Sequence, residues 1–220
     1  MNLESQSRAR LEDPGAELLD RVTGFWARYQ TIVLASVGVV VAVAAIAFFT
    51  LRARASSENE AAGRLAEANV LFWQGDYARS LEISRQVYEQ YGSTPSGTDA
   101  HRLAGDNAFW SGDFRTAADE YGRYLARVKS GPLADAVRRS HAYALESAGQ
   151  PQAAAELYER LVGTFDRESS AEFLAAAARC HLALGRKDEA VKRLQRLVDE
   201  FGETTYAATA RIHLAELKAR

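Results

Sequence analysis

The 220-residue chain is 47% apolar and 25% charged, and its 27 Lys and Arg against 29 Asp and Glu leave a formal net charge of -2. That balance excludes intrinsic disorder, which needs low hydrophobicity with high net charge, and a nucleic-acid binder held by bulk positive charge. One cysteine, Cys180, excludes an internal disulfide framework and any multi-cysteine zinc or iron–sulfur centre.

The first 28 residues form a short leader. Asp13-Pro14 reads as a helix start, with an acidic cap and a proline in the first turn. Leu18, Leu19, Val22, Phe25, Trp26 and Tyr29 then recur at helical spacing. This predicts an amphipathic helix that lies at a membrane interface before entering it. A docking helix for a partner is the alternative. Residues 29–51 follow, 23 residues without a charge. As a helix they reach roughly 35 Å, enough for a hydrocarbon layer of about 30 Å. Trp26, Tyr29, Phe48, Phe49 and Arg52 stand at the edges, where aromatic and cationic side chains suit the headgroups. The run predicts one transmembrane helix. A cleaved signal peptide competes, with Ala53-Arg54-Ala55 as its small-x-small site. Its apolar core should be shorter and start earlier. Flanking arginines tie at Arg10, Arg21 and Arg28 before the run and Arg52, Arg54 and Arg64 after it, so charge does not orient the span.

The remainder, 52–220, repeats itself. Phe72-Trp73-Gln74-Gly75-Asp76-Tyr77 aligns with Phe109-Trp110-Ser111-Gly112-Asp113-Phe114, and the glycine recurs at Gly149 and Gly185. Seven residues before each glycine stands Ala68, Gly105, Ala142 or Ala178. Five after it stands Ser80, Ala117, Ala154 or Ala190. Larger side chains follow at nine (Ser84, Tyr121, Tyr158, Leu194) and twelve (Val87, Tyr124, Leu161, Leu197). Small residues on both sides of a turn let two helices approach, and the larger ones fill the space to the next pair. The pattern resembles the tetratricopeptide repeat. It predicts an all-α chain: one N-terminal transmembrane helix, then a right-handed solenoid of about four helix pairs. Their bounds are about 58–92, 97–130, 132–166 and 169–202, and 204–219 forms a capping helix. The tryptophan usual at repeat position 4 is absent, with Arg64, His101, Arg138 and Leu174 standing there.

No nucleophile elbow, phosphate loop or zinc-binding His-Glu-x-x-His occurs, so no catalytic residue, cofactor or metal is expected. The four histidines, His101, His141, His181 and His213, fall at different repeat positions and do not line up as ligands. Binding is the better reading. The first helix of each pair would line a groove with Leu65, Asn69, Phe72 and Trp73, then Asp99, Arg102, Asp106, Phe109 and Trp110. Arg139, Tyr143 and Glu146 follow, then Glu172 and Arg179. Two Phe-Trp pairs with arginines farther along suit an extended or helical peptide. Alternatively, the aromatic pairs only pack between the first two units.

A short leader, one span and degenerate repeats together resemble the ancillary SecYEG translocon subunit family of bacterial envelopes. Gly24-Phe25-Trp26-Ala27-Arg28-Tyr29 resembles its pre-membrane segment. The ending from Glu200-Phe201-Gly202 through Leu214-Ala215-Glu216-Leu217 resembles its last repeat and cap. The resemblance implies an inner-membrane protein with a cytoplasmic N-terminus and a periplasmic repeat domain. It implies translocon components, a periplasmic chaperone or another membrane complex as partners. Envelope-assembly or division adaptors, and structural subunits of larger membrane complexes, share the architecture.

Overall fold

The computed structural model describes residues 14–219; the readings placed on Asp13 and on the earlier leader residues lie outside them. Among the described residues every regular element is a helix. The chain divides into two compact units, Met1–Arg54 and Ala55–Arg220.

In the first unit the helix α1 (Pro14–Trp73, 60 residues) begins in the leader and runs without a break through the apolar run. The helix read from Pro14 onward feeds into the run, and it continues through Tyr29 without a turn. Nothing in the segment would break it: Gly24 and Gly38 are isolated, and no proline follows Pro14 until Pro95. The run is long and apolar enough to cross a membrane, and none of its most apolar window is buried. Exposure is uniform around it, as at Val40, Val41 and Ile46 (67%, 61% and 65%). A helix apolar on every face belongs to an apolar surrounding.

In the second unit the end of α1 pairs with α2 (Tyr77–Gln90). α3 (Pro95–Trp110) pairs with α4 (Phe114–Arg127), and α5 (Pro132–Ser147) with α6 (Pro151–Leu161). α7 (Arg167–Ala183) pairs with α8 (Lys187–Glu200), and α9 (Thr205–Ala219) closes the series against α7 and α8. From α2 onward each helix packs on the next in chain order, and Ser80 of α2 bonds the Ala68 carbonyl of α1, as in a solenoid. The starts are written in the sequence. Asp76, Thr94, Asp113 and Asp166 accept a backbone N–H three residues on. Pro95, Pro132 and Pro151 occupy first turns, where the missing N–H costs nothing.

The small-residue register is realised throughout. Ala68, Ala142 and Ala178 before the turns, and Ser80, Ala117, Ala154 and Ala190 after them, are at most 1% exposed. The larger members, Tyr121, Tyr158 and Leu194, then Val87, Tyr124, Leu161 and Leu197, are buried beside them. Gly105 shows how tight the approach is. A Cβ there would stand 2.6 Å from the Tyr121 ring. Gly112 has a different constraint. It ends the turn at φ 81°, and Gly75, Gly149 and Gly185 adopt the same left-handed conformation in their turns.

The two glycines separate two costs. Gly112→Ala strains only the backbone and should lower unfolding stability by about 1–2 kcal/mol. Gly105→Ala leaves its helical backbone unstrained but must push Tyr121 aside in a closed core, where overpacking costs about 1–3 kcal/mol. Urea unfolding followed by circular dichroism measures both, and the transition should stay cooperative, because each unit buries its neighbours' faces.

Candidate functional site

The predicted groove residues all lie on the first helices of the pairs. Most of their polar groups are already engaged. The Asn69 amide donates to the Leu65 carbonyl of its own helix at 2.9 Å. Arg102 donates to both oxygens of Asp99, at 2.6 and 2.8 Å, and to Asp106 at 2.7 Å. Asp106 accepts in turn from the Tyr121 hydroxyl at 2.7 Å. Burial raises the Asp106 carboxyl above its usual range, against the pull of Tyr121 and Arg102. The Tyr143 hydroxyl donates to Glu172 across to α7 at 2.8 Å. Arg179 is bidentate on Glu146, at 2.6 and 2.9 Å, and the same carboxylate accepts from Tyr158. Arg139 lies over the Phe165 ring at 5.3 Å. Arg102 is thus paired within α3, whereas Arg179 ties α7 to α5 and Arg139 lies on an aromatic ring.

The aromatic pairs divide. Phe72 and Phe109 are half-buried and pack against their units' cores. Each also stands beside the first residue of the following helix, Tyr77 at 5.6 Å and Phe114 at 5.3 Å. Packing beside the turns of their own helix pairs thus accounts for the phenylalanines. It does not account for the tryptophans, since Trp73 is 82% exposed and Trp110 64%. Each sits edge-on to its phenylalanine, at 5.3 and 6.5 Å. They occupy one repeat position in adjacent units, and Val70, 56% exposed, lies one turn before Trp73. Of the membrane-edge residues, Trp26, Tyr29, Phe48 and Phe49 are exposed on α1 (48%, 39%, 60% and 67%), and Arg52 is exposed beyond them.

Sequence reasoning missed three features. A pocket of about 410 Å³ opens between α7 and α9, lined by Ala175, Arg179, Leu182, Tyr206, Thr209 and His213. Its α7 half follows the groove spacing, but the α9 half depends on how the cap docks. A second cleft, of about 650 Å³, opens between α4, α5 and α6 over Gly122, His141 and Arg160. Its signal was Gly122, which stands where the neighbouring units carry Arg85 and Glu159. The third feature is a pair of buried histidine–carboxylate contacts. His101 Nδ1 is 2.7 Å from Glu120, whose other oxygen accepts from Tyr88, and the Tyr88 ring stacks on His101 at 4.1 Å. His181 Nε2 is 3.0 Å from Glu159, which also accepts from Arg193. Among the described residues no group of three His, Cys, Asp or Glu is placed to hold a metal ion.

Two tetratricopeptide-repeat family models match, over residues 102–171 and 145–216, which together make up about half of the chain. The chain is a tetratricopeptide-repeat protein. Such repeats suggest a protein-binding scaffold, and they are typically non-catalytic. Solved structures share the fold. The kinesin light chain TPR-like repeats of Podosopora anserina align at TM-score 0.56 with 22% identity, covering 73% of this chain and 86% of that one. YrrB, described as a TPR protein with an unusual peptide-binding site, aligns at TM-score 0.55 with 18% identity, covering 71% and 75%. The MamA protein aligns at TM-score 0.52 with 16% identity, covering 64% and 73%. No curated protein matches the sequence at a significant level.

The titrating groups give two predictions. Burial, with Glu146 beside it, pushes the Cys180 thiol up to about 12. A thiol-specific reagent at about pH 8 should leave the native protein unmodified and react fully after denaturation. His141 is pushed below its ordinary value by burial and by Arg160, with Asp119 opposing. Its neutral form is the one the fold favours. The stability it contributes is present above about pH 6.5 and is lost as the pH falls through the depressed folded value. His141→Gln should therefore reduce the loss of urea stability between about pH 7 and about pH 5.

Proposed function

We propose that this protein is a membrane-anchored, non-enzymatic scaffold that holds a protein partner through Trp73, Trp110 and the groove they border. One observation carries the reading. Two tryptophans stand mostly in solvent at one repeat position in adjacent units, where the third and fourth units carry Ser147 and Ala183. Tryptophan is costly to leave in water and is enriched among residues that dominate protein interfaces. The pre-formed α7–α9 pocket offers an apolar recess near groove residue Arg179. YrrB, with the same fold, is described by a peptide-binding site.

The uncharged run 29–51 serves as the anchor. Its length of 23 residues, beyond the apolar core of a signal peptide, and its aromatic and arginine edges support a span over a cleaved signal. The resemblance of leader, span and repeats to ancillary translocon subunits supports the finer assignment. On that assignment the anchor lies in the bacterial inner membrane, the N-terminus is cytoplasmic and the repeats are periplasmic. The scaffold would present the groove beside the translocon to a chaperone, a translocon component or an emerging chain.

Purification of the tagged chain from membranes, with and without Trp73→Ala and Trp110→Ala together, tests this reading. The double variant should keep its helicity by circular dichroism and recover several-fold less of its partner. Recovery of SecY with the unaltered chain supports the translocon assignment, and a partner set without translocon subunits overturns it. Equal recovery by the double variant overturns the role of the tryptophans. An intact mass lacking the first 55 residues would make the run a signal rather than an anchor.

A further inference from the structure

The leader half of α1 carries an apolar face that its surroundings leave uncovered. Leu18, Leu19 and Val22 are 62%, 66% and 64% exposed. Because α1 is helical without interruption from Pro14 into the apolar run, the leader continues the run rather than turning along the membrane plane. Eleven residues separate Leu18 from Tyr29, about 16 Å of helix, whereas the headgroup layer on one side is roughly 5–8 Å deep. Given the span proposed above, on which this inference rests, these side chains stand beyond the lipid and the bilayer cannot cover them.

The face has a regular spacing. Leu18, Val22, Phe25, Tyr29, Ile32 and Ser36 follow one another at alternating steps of four and three, and the same steps continue to Ile46. That is the heptad spacing of a coiled-coil seam. One seam runs through leader and run without a change of phase, so both halves would face the same partner.

We infer that this seam is occupied by the seam of a second copy of the chain, in parallel. Copies of one chain cross the membrane in the same sense, so each heptad position meets itself. Three features of the helix suit that occupant. Ser36, a hydroxyl within the apolar run, meets the same hydroxyl of the second copy, which supplies the hydrogen-bond partner that lipid lacks. Ala35 and Ala42 flank the seam on one side and permit close approach. Arg21 flanks it outside the run and carries its own counter-charge, Glu17 at 2.6 Å. In a parallel pair the heptad geometry places Arg21 next to Trp26 of the second copy, a cation over an indole rather than over another cation. An unrelated helix would have to reproduce this seam on both sides of the membrane edge.

Disulfide scanning in native membranes tests the inference. The full chain carries Cys180→Ser and one new cysteine, either on the seam (Leu18→Cys, Val22→Cys, Phe25→Cys) or off it (Asp20→Cys, Thr23→Cys, Ala27→Cys). All six positions are exposed, so none disturbs a core. Mild oxidation should give disulfide-linked dimers several-fold more abundant at the seam positions than off it. Equal yields on all faces, no dimer, or a disulfide to a different protein overturns the inference. Carbonate extraction of the same membranes separates the two readings. Loss of the chain from the washed membrane overturns the span itself, and the paired helix with it. A retained chain without seam-specific dimers overturns the pairing alone.

Discussion

The repeat domain depends on one contact, the close approach of two helices across each glycine turn. That approach is possible only where both helices present hydrogen, methyl or hydroxymethyl side chains. Gly105 against Tyr121 is the limiting case, because even a methyl group would overlap the ring. With the pair drawn close, Tyr121 covers Gly105 of its own pair, and Tyr158 bonds Glu146 of its own pair while its ring stacks on Phe173 of the next. Tyr121, Tyr158, Leu161 and Leu197 are then excluded from water. Burial of such side chains contributes about 1.5–3 kcal/mol each and is shared between neighbouring units. The buried residues of neighbouring units share three clusters along the solenoid, built by repetition.

The polar groups follow from the same packing. Helices brought together bury carboxylates such as Glu120, 4% exposed, which must then find donors. Tyr88 and His101 supply them there, and Arg193 and His181 do so for Glu159. Along the groove face, Asp99, Asp106 and Glu146 are held by Arg102, Tyr121, Arg179 and Tyr158. The carboxylates along this face are in this way paired within the scaffold, and its exposed apolar features are the tryptophan edge at one end and the pocket beside α9 at the other.

Much of this was legible in the sequence, and the reasons are particular. The glycine period gave the turns because only a left-handed turn residue recurs so strictly, and Gly112 at φ 81° shows that need. The small residues gave the helix pairs because tight approach tolerates little else. The match to repeats whose position-4 tryptophan is missing was possible because the seam, not that tryptophan, sets the packing. His101 and Leu174 fill its place as buried residues. Other features were hidden. The Arg179–Glu146 and Tyr143–Glu172 contacts join residues about thirty positions apart through side-chain conformations that spacing does not specify. The fate of each Phe-Trp pair was ambiguous because neighbours one position apart on a helix face different directions. The leader reads as a helix feeding into the apolar run, and one helix runs through both because nothing between them breaks it.

The central claim is that a protein partner rests on the tryptophan edge. A photoreactive amino acid placed singly at Trp73, Trp110 and the exposed Arg196 of α8, and irradiated in intact cells, tests it most directly. The account predicts one discrete protein adduct from positions 73 and 110 and none from 196. The same adducts from all three positions, or none from the two tryptophan sites, would contradict it.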